Sequence, residues 1–190
     1  MTLLPRREKE PALETPPVVT TYLPIMTQAL SRRALLTTAG ALAVTACSPG
    51  PADASERQYA SSPFRRVTDA QWRTRLPGLS YDVLRREATE RPGTSPLNNE
   101  SRRGTFVCRG CDLPLFRSQW KFDSGTGWPS FYDVIAANIG TKTDFGIGIP
   151  RTEYHCARCL GHQGHLFMDG PRPTGKRYCN NGVALKFQAA

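Results

Sequence analysis

The 190-residue chain has no apolar run long enough to cross a bilayer. Its one extended run, Ala34 to Ala46, is thirteen residues, where a spanning helix needs about 20. Acidic side chains are also scarce. There are 16 Asp and Glu against 25 Lys and Arg, a formal net charge of +9. Such an excess draws acidic partners and anionic surfaces. Here, however, much of it is arginine scattered through Pro- and Gly-rich stretches. No basic helix and no recognition motif is present, so nucleic acid is not an expected partner. Histidine is rarer still: there are three, two of them within GHQGHLFMDGP at 161–171. Nothing repeats except a doubled cysteine pair. The length suits one domain with tails.

The N-terminal quarter does not read as fold. Residues 1–25 carry several prolines and no period, which marks disorder or a mis-assigned start. From Met26 the order sharpens. Arg32 and Arg33 precede the apolar run, and VTAC closes it. A charged region followed by a short apolar region fits a secretory signal. Ser-Arg-Arg-x-Leu-Leu resembles a twin-arginine export signal, and VTAC resembles a bacterial lipoprotein cleavage box with Cys47 as the lipidated residue. The alternative for 26–46 is a short buried helix. On the export reading the mature chain starts at Cys47. Residues 1–46 hold five Lys/Arg and three Asp/Glu, so its charge would be +7. It would sit in the bacterial cell envelope, on the periplasmic side, held to the membrane by a lipid anchor. With the signal unused it would be cytoplasmic. The small polar residues 48–62 predict a flexible linker over 47–63.

From Phe64 the texture changes, and one domain is expected over 64–190. Thr68 and Gln71 have capping-box spacing, so a short helix should follow to about Leu76, where Pro77-Gly78 stops it. Ser80 can cap a second helix through YDVLRREAT. Beyond Gly104, short runs of aromatic and branched residues are punctuated by Gly, Pro, Asn and Asp: GTFVC, PLFRS, SFYDVI, DFGIGI, TEYHC, GHLFM and GVALKFQ. This pattern predicts a mainly β, antiparallel domain behind two short helices. A core that small benefits from a staple.

Cysteine spacing supplies one. Cys108 and Cys111, then Cys156 and Cys159, form two CxxC pairs. Each fits a tight turn that aims both sulfurs at one point, and two such turns build a Cys₄ zinc site. Two disulfides, or a redox-active CxxC, remain the alternatives. With Cys47 assigned to lipid, Cys179 in RYCNN is left over. A lone cysteine can be a small buried hydrophobe or a nucleophile. Arg177 favours the second: residues i and i+2 share a strand face, and a cation near sulfur lowers the thiol pKa. His162 and His165 suit proton transfer near neutral pH, or form a structural pair. Asp169 can orient an imidazole or hold a water. Trp128 in FDSGTGWPSFYD is core together with Phe131 and Tyr132, or one wall of an apolar pocket beside the thiol.

Taken in order, the two CxxC pairs, FDSGTGWPSF, RTEYHC, GHQGHLFMDGP and RYCNNGVALKF resemble the B-type methionine-R-sulfoxide reductases, from about Val67 to Phe187. The resemblance implies two antiparallel sheets, a structural zinc held by the four paired cysteines, and thiol-dependent reduction of the R epimer of methionine sulfoxide in oxidised proteins and peptides. It makes Cys179 the catalytic cysteine and Trp128 the residue packing on the substrate methyl. His162, His165 and Asp169 match the polar side of the pocket. Arg177 and Asn181 match residues flanking the nucleophile, and Phe131 falls within the matched pocket segment. A monomer is expected. Attack by Cys179 on the sulfoxide sulfur, with His165 as the acid, would leave a cysteine sulfenic acid. Many relatives carry a resolving cysteine where this chain has Thr126. Its absence implies recycling by an external donor, a thioredoxin-like protein or a small-molecule thiol.

Overall fold

The computed structural model describes residues 51–190. The expected start region 1–25, the expected signal 26–46 and Cys47 lie outside the described residues. No helix among the described residues is long and apolar enough to cross a membrane.

Two antiparallel sheets make up the body, as the β-rich pattern predicts. Strands β1 (Gly104–Cys108), β2 (Pro114–Arg117) and β9 (Leu185–Ala189) form a three-stranded sheet in the order β2-β1-β9. The other sheet has six strands in the order β3-β4-β8-β7-β6-β5. These are β3 (Lys121–Phe122), β4 (Ser130–Phe131), β5 (Ile139–Asp144), β6 (Arg151–Cys156), β7 (His162–Phe167) and β8 (Arg177–Asn180). The core contains a run of aromatic rings. Phe116 stacks on Phe131 at 4.1 Å between centroids, Phe106 meets Phe131 edge-on at 4.9 Å, and Tyr154 meets Tyr178 edge-on at 5.3 Å. All five side chains are buried. Offset and edge-on pairs of this kind add to simple area burial.

Three helices precede the sheets: α1 (Pro51–Arg57), α2 (Asp69–Arg75) and α3 (Gly78–Arg86). In α2 the capping box forms as expected. The Thr68 hydroxyl accepts from the Gln71 amide, and the Gln71 side chain accepts from the Thr68 amide. In α3 the expectation fails at both ends. The helix starts behind Pro77, and Ser80, inside its first turn, donates to the Val183 carbonyl instead of capping. Glu87 ends it in the left-handed region at φ 58°.

The stretch expected as a flexible linker differs more. Within it, α1 and the following turn pack against the six-stranded sheet. Glu56 Oε1 lies 2.8 Å from His155 Nε2, and the Tyr59 hydroxyl donates to Asn138 Oδ1 at 2.7 Å. Arg65 reaches the carbonyls of Ala157 and Arg158. These are polar contacts to distant residues, and they leave no apolar period in the sequence to find. DFGIGI also departs from expectation. It begins at the last residue of β5 and then turns, leaving Phe145, Ile147 and Ile149 about two-thirds exposed.

Candidate active site and metal centre

The four paired cysteines converge. Their sulfurs all lie within 4.8 Å of one another, none is in a disulfide, and all four residues are buried. Cys108 Sγ is 3.6 Å from Cys159 Sγ, and Cys111 Sγ is 3.4 Å from Cys156 Sγ. A tetrahedral ion with metal–sulfur bonds of about 2.3 Å separates its sulfurs by about 3.8 Å, so the cluster fits one metal ion. Burial also removes the redox reading, because thiols this enclosed are closed to a protein partner.

The two turns share one geometry. Asp112 and Leu160, each following the second cysteine of its pair, take left-handed φ of 58° and 59°. Their amides donate back to the carbonyls of Cys108 and Cys156, both at 2.8 Å. Gly110 has an ordinary φ, so the sharp residue of the first turn is Asp112. Gln163 donates to Cys108 Sγ at 3.5 Å. Such outer contacts orient ligands.

Across the six-stranded sheet, one line of paired residues carries the chemistry. Ser130 on β4 pairs with Cys179 on β8, Cys179 with His165 on β7, His165 with Glu153 on β6, and Glu153 with Lys142 on β5. Directly paired residues share a face. Cys179 is half-buried and opens into a cavity of about 120 Å³ walled by Trp128, His165, Phe167, Arg151 and Asn181. Trp128 is therefore a pocket wall, not core. Its indole N–H donates to the Glu90 carbonyl at 3.1 Å. Gly127 is needed beside it: at φ +88° a Cβ would stand 2.8 Å from the Gly93 amide, and the Gly93 amide donates to the Gly127 carbonyl at 2.7 Å.

The electrostatics differ from the sequence expectation. Arg177 binds Asp169 through two hydrogen bonds of 2.8 Å each. Its charge pulls the Cys179 pKa down, as do hydrogen bonds from Thr126 and Arg177, but burial outweighs them and holds the thiol above its ordinary range. At rest the thiol keeps its proton. His165 Nε2 lies 2.7 Å from Asp144 Oδ2. Burial holds His165 below the usual histidine range, with Arg151 adding to the effect and Asp144 opposing it.

The remaining expected residues fall as follows. His162 is buried beneath the site. Its Nδ1 is 2.9 Å from Glu153 Oε1 but poorly aligned for a hydrogen bond, and its ring meets that of His165 edge-on at 5.4 Å. Asp169 is largely exposed and serves Arg177, not a histidine. Phe131 is fully buried in the aromatic core and lines no part of the cavity. Asn181 lines the cavity and pins it as well: it accepts from the Glu90 amide and donates to the Gln163 carbonyl, both at 3.0 Å. Sequence reasoning missed Asp144, Glu153 and Arg151. Only the RTEYHC and DFGIGI stretches marked their neighbourhood, and neither shows that Asp144 meets His165 or that Glu153 lies against His162.

Two antiparallel sheets joined at a buried four-cysteine cluster that fits one metal ion, with one further cysteine among the described residues placed across a strand pair from an imidazole, define a class of thiol oxidoreductases. The comparisons agree. Residues 76–189 match the SelR domain family, and the chain belongs to that family, the B-type methionine-R-sulfoxide reductases. It is 53% identical over 120 residues to peptide methionine sulfoxide reductase MsrB of Pseudomonas putida, covering 62% of this chain and 90% of that one. It is 48% identical over 122 residues to the MsrB of Bradyrhizobium diazoefficiens, covering 64% and 88%. It is 46% identical over 143 residues to the chloroplastic peptide methionine sulfoxide reductase B1 of Arabidopsis thaliana, covering 75% and 70%.

Proposed function

We propose that this protein reduces the R epimer of methionine sulfoxide in proteins and peptides, with Cys179 as nucleophile and an external thiol as reductant. The observation that carries the reading is Cys179 opening onto a small cavity with Trp128 as its wall and His165 across the strand pair. The cavity has room for the methyl sulfoxide end of one side chain. Indole on one side suits the methyl group. Arg151 also lines the cavity, and a guanidinium supplies N–H donors of the kind the oxygen needs.

The resting proton on Cys179 then has a destination. Sulfur attacks the sulfoxide sulfur, the S–O bond of the substrate breaks, and the oxygen ends on Cys179. The thiol proton must reach that oxygen. Asp144 occupies His165 Nε2, leaving Nδ1 to take the proton and pass it on. The products are methionine and Cys179 sulfenic acid, with atoms and electrons balanced. One external thiol condenses with the sulfenic acid to a mixed disulfide and releases water, and a second thiol, or the other sulfur of a dithiol donor, then frees Cys179 and leaves with the first as a disulfide. In the Cys₄ site zinc is the metal of choice. It would tie two turns together and leave no open coordination position, so no catalytic step passes through it. The N-terminal pattern supports export, with Cys47 lipidated and the domain held at a membrane surface.

Assay of both epimers with dithiothreitol tests the activity: the R epimer is consumed and the S epimer is not. After one turnover without reductant, intact mass shows one added oxygen, and a sulfenic-acid reagent labels Cys179. A Cys47–Cys179 disulfide would overturn the external-thiol step. Thr126→Cys gives a complementary outcome. Thr126 hydrogen-bonds Cys179, so a thiol there condenses with the sulfenic acid, and the variant ends turnover as a 126–179 disulfide.

Asp144→Asn tests the shuttle. It removes the group that raises the His165 pKa and leaves Arg151, which lowers it. The His165 pKa falls further, so the acidic limb of the rate profile, below which the imidazole is already protonated and cannot take the thiol proton, moves to lower pH. An unshifted limb would exclude His165 from proton transfer.

A further inference from the structure

The described chain exposes six large hydrophobic residues, and four of them gather at one place. Phe145, Ile147 and Ile149 are 67%, 63% and 66% exposed in the turn between β5 and β6, and Met168, just past β7, is 73% exposed. Continuing the β6–β7 register from Thr152 and Leu166 sets Phe167 opposite Arg151 and Met168 opposite Pro150. The four side chains therefore share one end of the six-stranded sheet.

That end is the rim of the cavity. The turn leaves β5 at Asp144, which holds His165, and rejoins the sheet at Arg151, which lines the cavity. Phe167, the neighbour of Met168, lines it too. The Gly146 amide donates to Asp144 Oδ1 at 2.7 Å, and the Gly148 amide to the Phe145 carbonyl at 2.9 Å. The backbone of the turn is thus tied to the same carboxylate that orients the imidazole. Its apolar side chains gain nothing from these bonds and project outward.

We infer that this turn and Met168 form an apolar docking lip for the polypeptide on either side of the oxidised methionine, so that the enzyme favours sulfoxides flanked by apolar residues. The inference rests on the reductase reading above. The occupant follows from continuity with the cavity. A sulfoxide side chain entering from the rim brings its own backbone and neighbours with it, and they lie against residues that border the opening. The segments recognised are those that bury their methionines when folded. Oxidation inserts a polar group into such cores, and local unfolding presents their apolar neighbours together with the sulfoxide. Contact with such neighbours removes apolar area on both sides from water.

Three substrates test this with the full chain: N-acetyl-methionine-R-sulfoxide, a peptide carrying leucine and valine on both sides of the sulfoxide, and a peptide flanked by serine and glycine. The variant is Phe145→Ser/Ile147→Ser/Ile149→Ser, with Ile147→Ser alone as the milder change. All three positions are exposed, and Asp144 and Arg151 stay in place. The expected result for the triple variant is a loss of about tenfold in kcat/KM on the peptide, carried by KM. Turnover of the acetylated amino acid is unchanged. A peptide flanked by serine and glycine is used equally by variant and wild type. If the variant treats the apolar peptide as wild type does, the lip does not bind substrate. An equal loss on all three substrates means the turn only positions Asp144. A change confined to sedimentation, or to binding anionic lipid vesicles, assigns the lip to a second copy or to the membrane and overturns the inference. If the wild type leaves N-acetyl-methionine-R-sulfoxide untouched, the reductase reading fails instead, whatever the lip does.

Discussion

Cys179→Ser is expected to remove R-sulfoxide reduction, lowering kcat/KM by at least about a thousandfold. The exchange is nearly isosteric, and Cys179 is half-buried at a cavity wall, so the fold keeps its stability. What is lost is the nucleophile. A serine hydroxyl is far harder to ionise than a thiol, and its oxygen attacks sulfur poorly. The burial that already holds the Cys179 pKa up would hold a hydroxyl higher still. His165 and Trp128 remain, so substrate binding survives: a peptide sulfoxide should bind the variant at close to the wild-type Kd. Retained reduction of the R epimer by Cys179→Ser would remove the mechanism. Retained binding with no turnover is the result that separates this enzyme from a module that only recognises oxidised peptides.

The second large effect concerns the metal centre. Cys108→Ser, or prolonged exposure of the native protein to a strong chelator, is expected to lower the unfolding free energy by about 4 kcal/mol or more. For a domain of this size the midpoint falls by about 15 °C. The reason is geometric. Cys108 ends β1 in one sheet and Cys156 ends β6 in the other, so an ion in the cluster would tie both layers together at these strand ends. With one ligand gone, three buried sulfurs repel or take up protons in an apolar setting. Metal content by mass spectrometry, measured beside the melting curve, checks the link. A protein that loses zinc and keeps its midpoint would show that the cluster is not a staple.

The contrast between what the sequence did and did not reveal is physical. Cysteine pairs, the Thr68 capping box and the GTFVC and TEYHC strands declare themselves through local rules of spacing and period, and the structure contains them. The expected residues that went elsewhere did so because of pairing at long range. Phe131 follows Trp128 closely in sequence, but strand alternation turns it to the opposite face from Ser130 and into the aromatic stack. Arg177 and Cys179 do share a face of β8. Burial of the sulfur raises the thiol pKa, and the lowering by Arg177 that the strand face predicts is present but smaller. Asp144 and Glu153 reach their histidines only through the β5–β6–β7 register, which no window of sequence contains. Helix α1 and the turn after it depend on His155 and Asn138, some 80 to 100 positions away.

The shared geometry of the two metal turns has a further consequence. One of them, residues 157–161, is also the connection between β6 and β7. Strand pairing repeats every two residues, so a slip of one residue would turn each side chain to the wrong face. Near this turn the pairing already contains a bulge, between Tyr154 and His155. An ion bound there would fix Cys156 and Cys159 at a set separation and so index β6 against β7, whose register places Glu153, His165 and Cys179 in one line. A metal held there would act as a ruler: it would set the count of residues that aligns the cavity side chains across the sheet, without touching them.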